Sequence, residues 1–145
     1  MDPFRGRTNI IGKQIERSKK VDRCFSLARN VAANSPYGKI RHGAVLTKGG
    51  SIINASFNKD NYTSFGSRFR SPLRGHATVH AELGCILGLP RDVTSGADLY
   101  VCRINRKGEF RFSKPCSMCH EALKHVGVKR VYYTTSDNTV EMYKL

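Results

Sequence analysis

The chain has 145 residues, a length that fits one domain and lets roughly two-thirds of its surface be buried. No apolar run approaches the ~18 residues of a membrane span, and the N-terminus lacks the charged-then-apolar order of a signal peptide, so membrane insertion and export are not expected. Its 25 Lys and Arg against 11 Asp and Glu give a formal charge of +14 with the five His neutral, which points to an anionic partner.

Residues 1–17 mix Arg, Lys, Gly and Asn with little period and read as a basic N-terminal arm, leaving 18–145 as a single domain. Val21, Cys24, Phe25, Ala28, Val31 and Ala32 recur at three-four spacing, predicting a helix that ends before Ser35-Pro36. Residues 42–47 and 51–57 flank Lys48-Gly49-Gly50 as a hairpin. Tyr62, Phe65, Arg68, Phe69, Arg70 and Arg74 crowd the following loop. His80 to about Leu87 reads as a helix stopped by Gly88 and Pro90, and 98–104 as a strand. A turn at Arg106-Lys107-Gly108 sends a β-arm back towards Pro115. Cys116 to Val126 reads as a helix closed by Gly127, and Arg130 to Thr135 as a strand. These elements predict an α/β fold, a three-layer α-β-α sandwich around a mixed sheet. In Tyr132-Tyr133 alternation turns one side chain to the core and the other to the pocket or the adjoining helix layer.

The chemistry is carried by His80-Ala81-Glu82 and Pro115-Cys116-Ser117-Met118-Cys119. Cys-x-x-Cys at the opening of a helix brings two thiolates within reach of one ion, and the helix N-terminus favours the deprotonated sulfur. With His80 this makes three ligands for Zn2+, and the fourth tetrahedral position is left to water, as in catalytic zinc sites. Zinc can lower the pKa of such a water to about 7, giving a hydroxide nucleophile at neutral pH. Acid/base work then needs a carboxylate near the metal but not bound to it. If His80 opens a helix, Glu82 lies about 200° round the axis and is free to act as the proton shuttle. A lone Cys-x-x-Cys also suits a redox pair or half of a zinc ribbon. A ribbon would need a second Cys pair or a His pair, and a redox motif leaves His80 and Glu82 without a role. His76, His120, Cys85 and Cys102 are the other side chains able to close the site as a fourth ligand. Five Cys is an odd number, so Cys24, Cys85 and Cys102 read as small buried residues, and the expected compartment is a reducing, cytoplasmic one.

These motifs resemble the signature of the zinc nucleobase deaminases. The likeness to the cytidine/deoxycytidylate deaminase superfamily runs over roughly residues 20 to 136, through Arg41-His42-Gly43-Ala44-Val45-Leu46, Ala97 to Val101 and Glu121 to Tyr133. The resemblance implies hydrolytic loss of an exocyclic amine, with His80, Cys116 and Cys119 on zinc and Glu82 moving protons. It implies that Asn58 contacts the sugar or base and that Ala81 lines the pocket. Family members often assemble as homo-oligomers through their sheet and helix faces, which is compatible with the resemblance. The chain departs from familiar members in the long link from Val101 to Lys114 and in ending at Leu145 without the C-terminal helices many carry.

Three functions follow from these residues. The first is conversion of cytosine to uracil in a nucleotide of the dCMP or CMP type. The second is the same chemistry on single-stranded nucleic acid, an editing activity, with Arg68, Arg70 and Arg74 tracking the backbone and aromatic residues stacking on bases, unless Phe65 and Phe69 instead tuck the loop onto the core. The third is a non-catalytic zinc-stabilised nucleic-acid-binding module, against which Glu82 speaks. Pro-Cys-Ser-Met-Cys also resembles tRNA adenosine deaminases, but Val126 to Thr135 is closer to the deoxycytidylate type, which favours cytosine over adenine.

Overall fold

Helix α1 (Lys19–Ala32) is opened by Ser18, whose Oγ accepts the Val21 N–H at 3.2 Å. Val21, Cys24, Phe25, Ala28 and Ala32 form its single buried face, as their spacing predicts. The structure, a computed structural model, describes residues 11–38, 40–62, 68–69 and 78–145. Strands β1 (Lys13–Gln14), β2 (Arg41–Lys48) and β3 (Ser51–Phe57) are followed by the short pair β4 (Lys59–Tyr62) and β5 (Thr78–Val79). Next come helices α2 (Ala81–Ile86) and α3 (Arg91–Thr94) and strands β6 (Asp98–Ile104) and β7 (Phe110–Arg111). Helix α4 (Ser117–His125) and strands β8 (Arg130–Thr134) and β9 (Val140–Lys144) complete the described elements.

The main sheet runs β1-β9-β8-β6-β2-β3, with β7 added to β6, and β4 and β5 pair separately. Strands β6 and β8 are parallel, joined by α4 as a crossover, and the other pairs are antiparallel. The sheet is therefore mixed, as expected. Gly49 and Gly50, with φ of 57° and 82°, make the tight turn between β2 and β3 that suits the twist of a hairpin.

Strand alternation divides the core in two. Ala44 and Leu46 of β2, with Leu99 and Val101 of β6, pack with residues of α2 and α4. Val45 of β2, with Tyr100, Cys102 and Ile104 of β6, packs with α1 on the other face. This is the three-layer arrangement. At Gly43 the α1 backbone comes so close that any Cβ would meet the Ala28 carbonyl. Tyr133 belongs to the α2/α4 side, while Tyr132 stacks on Tyr100 (centroids 4.4 Å apart) on the α1 side.

Part of the segment read from sequence as an arm lies in the sheet, because Lys13 and Gln14 pair with Met142 and Glu141. Strand β9 was likewise not expected, and it separates β8 from the sheet edge. Among the described residues, no helix is long and apolar enough to cross a membrane.

Candidate active site

The two motifs meet at the starts of α2 and α4. His80 is the extended residue before α2, with φ −73° and ψ 158°, and its side chain makes no helix cap. Cys116 has the same place before α4, at φ −70° and ψ 170°, and Cys119 lies one turn further along. The His80 Nδ1 lies 3.8 Å from the Cys116 Sγ and 3.3 Å from the Cys119 Sγ. All three ligand atoms fall within 4.8 Å of one another.

This donor set fits zinc. Bond lengths of about 2.0–2.1 Å to nitrogen and about 2.3 Å to sulfur put tetrahedral N and S ligands about 3.6 Å apart, between the two separations found. No fourth His, Cys, Asp or Glu among the described residues joins the cluster. Cys85 turns away and lies 3.2 Å from the Ala44 carbonyl, and the His120 Nδ1 lies 3.4 Å from the Tyr143 hydroxyl. His76 lies outside the described residues.

The electrostatics suit a metal too. The Cys119 thiol, with help from His80, pulls Cys116 down to about 4 against the upward push of burial. Burial pushes Cys119 itself up, so its thiolate would need a bound cation beside it. Glu82 occupies the first turn of α2, buried beside this group, and burial raises its carboxyl above the usual range.

A cavity of about 400 Å³ opens onto these residues. Its walls include His80, Ala81, Glu82 and Cys116, together with Asn58. The Asn58 Oδ1 accepts the His42 N–H at 2.8 Å, and its Nδ2 donates to the Ile40 carbonyl at 2.9 Å. Asn58 therefore holds one wall in place from the end of β3. Tyr37, Ile40, His42, Lys59, Ser113 and Lys114 complete the lining, and sequence reading had assigned none of them to the site. Burial lowers His42 to about 4, which keeps it neutral at pH 7.

Of the basic loop, Arg70 and Arg74 lie outside the described residues. Arg68 is exposed, 5.7 Å from the Phe69 ring, and does not line the cavity. The Phe69 ring sits 5.3 Å from His125, at the end of α4 away from Cys116. With about 1.5 Å of rise per residue, that contact is some 13 Å along the helix from the cysteine. Phe69 packs on the core, as a loop anchor would.

Comparison with known proteins agrees with this geometry. The sequence model of the cytidine and deoxycytidylate deaminase zinc-binding region matches residues 18–135. No curated protein matches the chain by sequence. Among solved structures, the dCMP deaminase of cyanophage S-TIM5, in its apo form, superposes with a TM-score of 0.54 at 20% identity, covering 83% of this chain and 86% of that one. At that identity the likeness bears on fold alone. The match over residues 18–135 and the His/Cys/Cys cluster that fits zinc agree, and the chain belongs to the cytidine and deoxycytidylate deaminase family of zinc-dependent hydrolases.

Proposed function

We propose that the chain converts cytosine to uracil in a nucleotide, by hydrolysis and with release of ammonia. The observation that carries this reading is that Lys59 and Lys114 line the same cavity as Glu82 and His80. Two cations suit a single phosphate, and the cavity falls within the size range usual for small-molecule sites. The family of the matching sequence model, which takes in deoxycytidylate deaminases, agrees with that substrate class.

His80, Cys116 and Cys119 would hold zinc, which when bound would supply Lewis-acid activation of water at neutral pH. Asn58 keeps one N–H and one oxygen lone pair for the sugar or base after its two backbone bonds. Glu82 takes one proton from the attacking water and delivers it to the ring nitrogen, then takes the second from the new C4 hydroxyl and delivers it to the departing amine. The C4–N bond breaks as the new C4–O bond is retained, so water and cytosine give uracil and ammonia. Ala81 and His42, both in the cavity wall, limit the room around the ring. Five cysteines free of disulfides suit a reducing, cytoplasmic location.

The test is a mass-spectrometric competition on zinc-loaded protein among deoxycytidylate, cytidylate, deoxyadenylate and a single-stranded oligonucleotide. Uracil products are expected. Loss of the amine from adenine alone, or no product with zinc retained, would overturn the reading.

A further inference from the structure

The surplus charge of the chain has an ordered expression in the sheet. Ala44 and Leu46 of β2 point to the α2/α4 side, so His42 falls on that side as well. Leu99 and Val101 of β6 point the same way, and Arg103 follows them by alternation. Phe110 of β7 packs on the α1 side, so Arg111 lies on the α2/α4 side. The registers place these residues directly opposite one another, His42 against Arg103 and Arg103 against Arg111. They form a row across three strands, in steps of about 5 Å. The row begins at the cavity wall, which His42 lines, and ends at the exposed Arg111.

Two arginines directly opposite on antiparallel strands repel one another and cost stability. Glu109 reaches Arg111 at 3.5 Å, but both side chains are near half exposed and such a pair contributes little. Arg103 forms no ion pair among the described residues, and its Nε is a buried donor without a partner. Leaving a buried donor unsatisfied is unfavourable unless an acceptor arrives from outside. Arginine presents a planar fork that matches phosphate oxygens in pairs. Arg103 and Arg111 both lie in the long link between Val101 and Lys114, which the zinc chemistry does not use.

We infer that the row His42–Arg103–Arg111 is a track for the backbone of a single-stranded nucleic acid whose cytosine occupies the cavity. The inference rests on the cytosine reading given above and extends it from a free nucleotide to a strand. The strand must be single, or the base flipped, because the cavity cannot reach inside a duplex. Arg103 takes the phosphate nearest the cavity and Arg111 the next.

The test is the salt dependence of binding of a short, mixed-sequence single-stranded DNA to the zinc-loaded full chain. Each phosphate contact to a single strand contributes about 0.7 to the slope of log affinity on log salt. The double variant Arg103→Gln/Arg111→Gln should lower that slope by about 1.4, and Arg103→Lys/Arg111→Lys should keep it. If the double Gln variant does not fold, Arg111→Gln alone, at an exposed position, should lower it by about 0.7. A slope equal to that of the unmodified chain, or an unmodified chain that does not bind, overturns the track. Turnover of free deoxycytidylate on the same preparations tests the functional reading separately. Turnover without strand binding removes the track alone, and charge-dependent strand binding without turnover of any cytosine substrate removes the functional reading alone.

Discussion

Asn58→Ala separates a substrate contact from a structural one. The Asn58 side chain bonds the His42 N–H at 2.8 Å and the Ile40 carbonyl at 2.9 Å, and its own carbonyl accepts the Ser35 hydroxyl at 3.1 Å. Truncation removes both side-chain bonds and leaves the third. A hydrogen bond contributes about 0.5–1.5 kcal/mol net. Ile40 is 51% exposed, so its carbonyl regains water, and the loss there falls at the low end. The His42 N–H is less accessible and carries more of the cost. The sum is about 1–2 kcal/mol, or a fall in Tm of about 3–7 °C for a chain of this size. Thermal unfolding of zinc-loaded protein reads this directly, with kcat and KM measured alongside. The wall carrying Tyr37, Ile40 and His42 loosens in the variant, so KM should rise together with the fall in Tm. If Asn58 acted only on substrate, KM would rise while Tm stayed within about 1 °C of the unmodified protein, and that result would refute the structural role.

Three further outcomes follow from the same geometry. Glu82→Gln should lose about 10²–10⁴-fold in turnover while keeping its zinc, measured by metal analysis, and full activity would remove Glu82 from proton transfer. Burial holds His42 at about 4 against 6.5 for an exposed imidazole, so the unfolded chain takes up this proton first as pH falls. The stability His42 contributes is therefore complete above pH 6.5 and lost between about 6.5 and 4, at most about 3 kcal/mol. Denaturant titrations should show a flatter acid limb for His42→Gln, and superimposable limbs would count against its burial. Gly43→Ala places a Cβ against the Ala28 carbonyl and the Ala32 amide of α1, backbone atoms that cannot rotate aside. It should cost about 1–3 kcal/mol in urea unfolding, and a cost below about 0.5 kcal/mol would mean that α1 is not seated as described.

The zinc cluster was legible in sequence because its parts are local. Each ligand sits at the start of a helix whose opening and stop are written within a few residues, as at Cys116 and Gly127. The β2–β3 hairpin was legible for the same reason, since two glycines make its turn. Strand β9 was not, because Val140 and Tyr143 are buried with two half-buried residues between them, which breaks the alternation that marks a strand. Strand β1 has only two residues and exists through its pairing with β9, so no local signal could have announced it. Arg68 separates nearness in the chain from lining of the cavity. It stands a dozen positions from His80 in the chain, yet its neighbour Phe69 packs at the far end of α4.

The cavity wall depends on register, and register explains why substrate range is harder to read than chemistry. His42 was in plain view within Arg41-His42-Gly43, but its place in the cavity wall with His80 and Cys116 follows only from the parity it shares with Ala44 and Leu46. Asn58 enters through the bonds that tie the end of β3 to the start of β2, and Lys114 through the return of the chain from β7 towards Cys116. Glu82 and the three ligands, by contrast, come from two helix starts packed in the core. Substitutions along the wall can therefore change what enters while leaving the reactive centre intact. The link from Val101 to Lys114 brings Ser113 and Lys114 to this wall and carries the arginines of its cationic extension. On the proposed function, selection among substrates falls to residues whose positions are set by pairing between distant strands, and the hydrolytic chemistry to residues whose positions are set within single helical turns.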